Sequence, residues 1–203
     1  MPKNTDTYTR NDVDFAYYYS RGSFRVYEND EEELDAVDEV RGKPTKFSID
    51  QDNAFGDKRW VFTIDLVNEE KEKLILRVRL HLSDDPSIDD VSWFAIGLLG
   101  HMANLEDSQF LTFQAEELEP RDRRSRFSLY LPRIRTRRGI LPWAFEKGTP
   151  KEEAYIQALT KLRKHPLFNK KTARNLETCL KEAKGLSNAN RKPAKTKASK
   201  TRR

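Results

Sequence analysis

Between Arg59 and Leu82 the side chains alternate with a period of two, and that period constrains the fold more than any other feature of the chain. Trp60, Phe62, Ile64 and Leu66 alternate with Val61, Thr63, Asp65 and Val67. After the polar connection Asn68 to Lys73, Leu74, Leu76, Val78, Leu80 and Leu82 alternate with Ile75, Arg77, Arg79 and His81. Successive residues of a strand point to opposite faces, so the two segments predict a long hairpin with one apolar side. The second strand carries a basic face opposite its apolar one.

The neighbouring segments extend this into a mainly β (α+β) chain. Ser83 to Ser87 reads as a turn cluster, and Asp89 and Asp90 are placed to cap a helix over Val91 to Leu105. Val91, Phe94, Ile96, Leu98, Leu99 and Met102 cover more than one face of that helix. Gly97 and Gly100 each cost it about 1 kcal/mol of propensity, which predicts close packing against a sheet. Strands follow at Phe110 to Glu116 and Arg126 to Ile134, and Lys46 to Ile49 adds one upstream. The order strand, strand, strand, helix, strand, strand predicts an OB-like five-stranded barrel over residues 46–138. In that fold oligonucleotides lie on strands two and three and on the loops joining strands one–two and four–five.

The flanks read differently. Residues 1–45 are aromatic and acidic, with a short strand at Ser23 to Tyr27 and a solvated loop at Glu28 to Glu39, where eight of twelve residues are acids. Residues 139–185 form a helical extension. Its first helix opens on the capping box Thr149-Pro150-Lys151-Glu152, with Pro150 as the first helical residue, and stops at His165-Pro166. Its second helix begins near Asn169 or Thr172, buries Leu176, Cys179, Leu180 and Ala183, and ends at Gly185. Residues 186–203 hold seven Lys and Arg and no acid, the composition of a disordered basic tail.

The formal net charge of +5 over 203 residues conceals a division. Residues 1–120 carry 13 basic and 27 acidic side chains, a balance of −14; residues 121–203 carry 25 and 6, a balance of +19. Arg121, Arg123, Arg124, Arg126, Arg133, Arg135, Arg137 and Arg138 fall within eighteen residues, opposed there only by Asp122. Guanidinium binds phosphate bidentately and stacks on bases, so an all-arginine cluster fits nucleic acid. The expected phosphate contacts are Arg77, Arg79, Arg121, Arg123, Arg124, Arg126, Arg133 and Arg135. The competing reading of any one of them is an ion pair with an upstream acid. Bases would stack on Phe55 in the first loop, on Tyr130 on the outer face of the last strand, or on Trp143. The run Tyr17 to Tyr19 reads equally as a stacking patch or as a strand with one buried face.

Other classes of function find little footing. Cys179 is the only cysteine, which excludes an internal disulfide and a cysteine-rich zinc site. The first residues lack an apolar core, and the longest apolar run, Trp93 to Gly100, falls far short of the about 20 residues that span a bilayer. A cytoplasmic protein without a membrane partner is expected. His81, His101 and His165 lack metal-ligand spacing, and Asp84, Asp85, Asp89 and Asp90 fit a turn and a helix start. No phosphate-cradling glycine loop or nucleophile elbow is present. The expectation is a non-enzymatic protein with no cofactor and no metal.

The succession of a Trp-led hairpin at Arg59 to Leu82, the helix segment Trp93-Phe94-Ala95-Ile96-Gly97-Leu98-Leu99, and a final strand Arg126-Phe127-Ser128-Leu129-Tyr130-Leu131 resembles the OB-fold single-stranded-DNA-binding proteins of phages and mobile elements. The resemblance covers about residues 46–145 and implies coating of unpaired strands in DNA replication and recombination. Such proteins often end in an acidic tail, whereas this chain ends in Lys and Arg. The acids at Glu28 to Glu39 are placed to compete for the basic groove from the other end. Single-stranded DNA is the expected partner, with RNA or a ribosome-associated role as the alternative. A homo-oligomer is a further partner compatible with the charge division, and at its limit the acidic and basic halves would mate between copies in a virion or assembly protein.

Overall fold

A helix that is apolar on every side can be stable in water only if other elements surround it, and the central helix of this chain has that character. The computed structural model describes residues 14–28, 32–52, 59–80, 91–106, 109–118, 129–142, 145–146 and 148–190. Its strands are β1 (Phe15–Ser20), β2 (Ser23–Glu28), β3 (Glu32–Val37), β4 (Glu39–Asp52), β5 (Arg59–Val67), β6 (Lys73–Arg79), β7 (Leu111–Leu118), β8 (Leu129–Thr136) and β9 (Gly139–Ile140). Helix α1 (Trp93–Ala103) lies between β6 and β7, and α2 (Lys151–Leu162) and α3 (Ala173–Asn190) follow β9. Every residue of α1 from Phe94 to Met102 is buried.

The strands form one sheet in the order β3-β2-β1-β6-β5-β4-β7-β8-β9, curled as a half-barrel about the core. All neighbouring pairs are antiparallel except β1 with β6. The mainly β class holds, but the five-stranded OB barrel does not. The N-terminal segment supplies three additional strands, and β1 takes the outer edge of β6. β1, β2, β3 and the first residues of β4 are therefore part of the same sheet as the hairpin.

β4 is the element that lets the sheet curl. Its first residues, Glu39 to Gly42, pair with β7, while Lys43 to Asp52 pair with β5 through a register shift between Pro44 and Lys46. At the crossover a Cβ on Gly42 would lie 3.0 Å from the Cβ of Leu66, so a larger residue would push the two strands apart. The predicted Lys46 to Ile49 strand is only the middle of these fourteen residues. The charged and glycine-containing flanks hid the rest.

The acidic stretch, read as a loop, contains β3. Leu34 pairs with Val26 and Val37 with Phe24, which gives the strand an inner edge despite its acids. The β1–β2 turn is tight, with Arg21 at φ 47° and Gly22 at φ 93°, as a two-residue hairpin turn requires. The tyrosine run is a strand with one buried face. Tyr17 and Tyr19 pack on the core, and Tyr19 stacks on Phe94 with ring centroids 3.7 Å apart. Burial pushes the Tyr19 hydroxyl up to about 12.

The C-terminal helices close the open side of the curl. α2 buries Ala154, Tyr155, Ala158, Leu159 and Leu162, and α3 buries Leu176, Cys179, Leu180 and Ala183. Between them the backbone pairs with β4, Phe47 N donating to Leu167 O and Asn169 N to Phe47 O, both at 2.8 Å. His165 secures this connection. Its Nδ1 accepts from Leu167 N at 3.1 Å, which leaves Nε2 to donate to Leu105 O at 2.7 Å. Cys179 lies 3.2 Å from the Tyr155 hydroxyl, and burial drives its thiol up to about 12, so it is an inert core residue.

Three helix ends differ from expectation. Ser92, not Asp89 or Asp90, caps α1, its Oγ accepting from Ala95 N at 3.0 Å. Pro150 is the N-cap of α2 rather than its first residue, and Thr149 turns its hydroxyl back to Glu146 O. α3 continues through Gly185 to Asn190, so the helix takes up the first residues expected in the tail.

His101 is buried in α1 with a ring nitrogen bonded to the Pro142 backbone, and burial lowers its pKa to about 4. Unfolding returns it to about 6.5, so the unfolded chain binds more protons between those values. Its contribution is complete above pH 6.5 and is lost as pH falls to 4, about 3 kcal/mol across the window. Urea unfolding followed by tryptophan fluorescence should show that slope, and His101→Gln should flatten it.

Candidate nucleic-acid interface

The face of the sheet turned away from α1 carries its own small apolar cluster. Ala16 and Ile75 are buried there, with Tyr18 and Tyr27 packed over them. Strand pairing assembles this layer in rows. One row is Arg25, Tyr18, Arg77, Thr63 and Ser48 across β2, β1, β6, β5 and β4; the next is Tyr27, Ala16, Ile75, Asp65 and Lys46. Tyr18 and Tyr27 lie over Ala16 and Ile75, and Arg25 and Arg79 are exposed on the same face.

Contacts fix the rings in place. The Arg77 guanidinium lies 5.3 Å from the centre of the Tyr18 ring and also donates to the Tyr18 hydroxyl. Tyr27 meets Tyr18 edge-on, centroids 5.2 Å apart. Arg79 stands one step along β6, exposed and opposite Val61. Asp65 lies between Arg77 and Lys46; burial raises its carboxyl pKa, and Lys46 at 3.6 Å opposes that shift. An array of arginines and tyrosines on a sheet can hold phosphates by the guanidinium forks and bases against the rings.

The remaining expected residues are placed as follows. Arg133 is on the outer face of β8, paired with Glu116 at 3.6 Å, while Arg135 is exposed and opposite Thr112. β8 is four strands from β6, about 19 Å across the sheet. Acids interrupt the intervening surface, including Glu39, bonded to Gln114, and Glu69, paired with Arg41. Arg133 and Arg135 therefore do not join Arg77 and Arg79 in one patch. Tyr130 lies on the inner side of β8 with Ile134, not on the outer face, and its ring occupies the space where a Cβ on Gly22 would stand. Phe55, Trp143, Arg121, Arg123, Arg124 and Arg126 lie outside the described residues.

The sequence offered Tyr18 only as one of the run Tyr17 to Tyr19, readable as a stacking patch or as a strand, and it did not point to Tyr27 or Arg25 as site residues. The only signal was the alternation of Tyr18 with Tyr17 and Tyr19, and pairing between β1 and β6, fifty-nine residues apart at Tyr18 and Arg77, could not be read from it.

No family model, curated protein or solved structure matches this chain. The site is read from its own chemistry. Among the described residues no group of three or more His, Cys, Asp or Glu is arranged to hold a metal, and no helix is long and apolar enough to cross a membrane.

The Arg77–Tyr18 contact should be measurable. A double-mutant cycle of Tyr18→Leu and Arg77→Met in urea unfolding should give a coupling of about 1 kcal/mol. Additive single effects would contradict the contact.

Proposed function

We propose that this protein is a non-enzymatic, largely sequence-independent binder of single-stranded DNA, and that the strand crosses the outer face of β2, β1 and β6. The observation that carries this reading is the row Arg25–Tyr18–Arg77, where register places a tyrosine between two arginines on a face away from the core. Arg77 and Arg79 hold phosphates, and Tyr18 and Tyr27 offer ring surface to bases. The arginines of residues 121–126 and the basic tail add sequence-independent attraction to the same polyanion. Coating of unpaired strands in replication or recombination, in the cytoplasm of a host cell, is the setting that the sequence resemblance implies.

Anisotropy with labelled oligothymidylate at several salt concentrations tests this. Affinity should fall steeply with salt, and Arg77→Ala with Arg79→Ala should weaken binding about tenfold or more and reduce the salt slope by roughly 1.4, at about 0.7 per phosphate contact. Competition should rank poly(dT) above poly(U) and duplex. A flat salt response or an unchanged affinity in the double variant contradicts the reading, and a poly(U) preference moves the partner to RNA.

A further inference from the structure

We infer that the bound strand leaves the sheet across the end of β4 and continues along α3, where Lys171, Arg174 and Lys181 form a second phosphate-binding segment. This rests on the binding reading above and extends it to residues outside the arginine cluster.

The path follows from register and from how α3 is docked. Arg79 is opposite Val61, and Val61 is opposite Asp50, so two strand spacings, about 10 Å, separate Arg79 from Asp50. There the sheet meets α3. Asn175 Nδ2 donates to Ile49 O at 3.1 Å and reaches Asp50 Oδ1 at 3.5 Å, and Glu182, two turns on, accepts from Trp60 Nε1. These contacts fix the rotation of the helix. Its buried stripe is Leu176, Cys179, Leu180 and Ala183, and roughly a quarter-turn beyond Asn175 and Glu182, away from that stripe, come Arg174, Thr178, Lys181 and Gly185. All four are exposed, as is Lys171 in the preceding turn.

Of the acids near this stripe, Glu177 is matched by a cation, while Glu182 and Asp50 keep their charge and meet neutral donors beside the stripe. Glu177 is paired with Arg163 at 2.6 Å, Glu182 holds Trp60, and Asp50 accepts from Ser48 at 2.8 Å. The outward stripe itself carries Arg174 and Lys181 with the small residue Thr178 between them and Gly185 beyond, a shape along which a phosphodiester chain can lie. The helix then leads toward residues 191–203, whose seven Lys and Arg continue the same charge in the sequence. Across the end of β4 the basic neighbour of the β6 arginines is thus α3, whereas β8 lies four strands away along the sheet.

Length dependence separates this inference from the reading beneath it. The full chain is titrated with oligothymidylates of roughly six and roughly twenty nucleotides, short enough for the sheet alone and long enough for sheet and helix. Three variants are compared: Lys171→Glu/Arg174→Glu/Lys181→Glu, the equal charge change Arg135→Glu/Arg137→Glu/Arg138→Glu, and Arg77→Ala/Arg79→Ala. The helix variant should lose about tenfold or more on the long oligonucleotide and at most about twofold on the short one. The β8–β9 variant should lose distinctly less on the long one, and the β6 variant should lose on both. A helix variant with unchanged long-oligonucleotide affinity, or one matched by the β8–β9 variant, overturns the path on α3 while the sheet reading stands. A β6 variant that binds both normally overturns the sheet reading and the path with it. Thermal midpoints confirm folding, and Lys171→Gln/Arg174→Gln/Lys181→Gln repeats the test if charge reversal lowers them.

Discussion

The burial of α1 on all sides is the constraint from which the rest of the architecture follows. Phe94, Ile96, Leu98, Leu99 and Met102 point in different directions around the helix, so no flat sheet could cover them. Truncating a buried Phe or Leu of this kind costs on the order of 2–5 kcal/mol, a large part of a domain's net stability. The sheet must therefore curl, and α2 and α3 must close its open side. The change of partner along β4 at Gly42, the seat of Tyr130 against Gly22, and the main-chain pairing of Phe47 with residues 167–169 all serve that enclosure.

The same curl has a consequence on the outside. A sheet whose inner side is filled by a helix turns its other side outward, and on that side strand pairing alone decides which residues meet. Between β2 and β4 it sets arginines and tyrosines beside alanine, serine and threonine, with Tyr18 and Tyr27 over Ala16 and Ile75. Around β7 and β8 it sets arginine beside glutamate instead. What marks out the β2–β1–β6 region is the tyrosine seated between arginines, and this arrangement locates the proposed interface.

Legibility in the sequence follows from how local each signal is. The hairpin β5–β6, the helix α1 and the buried stripes of α2 and α3 were legible because each is periodic within its own segment. β3 was not, because Leu34 and Val37 are outnumbered by acids and gain their place only by pairing with β2. The five-strand count failed for the same reason: β1 joins β6 in parallel across the intervening hairpin and long β4. For the site, Arg77 and Arg79 were legible as the basic face of an alternating strand. Arg25 was not, and Tyr18 was only one of a run with two equal readings, since the register that seats both beside Arg77 is what separates Tyr18 from Tyr17 and Tyr19. Tyr130 was assigned to the outer face, but the register of β8 with β7 places it inside.

The claim on which the account depends is that unpaired nucleic acid touches the layer formed by β2, β1 and β6. Ultraviolet crosslinking of the full chain to oligothymidylate, followed by mass spectrometry of the peptides, addresses that contact directly. The account predicts adducts on Tyr18 or Tyr27. Crosslinked peptides that exclude both β1 and β2 would contradict it.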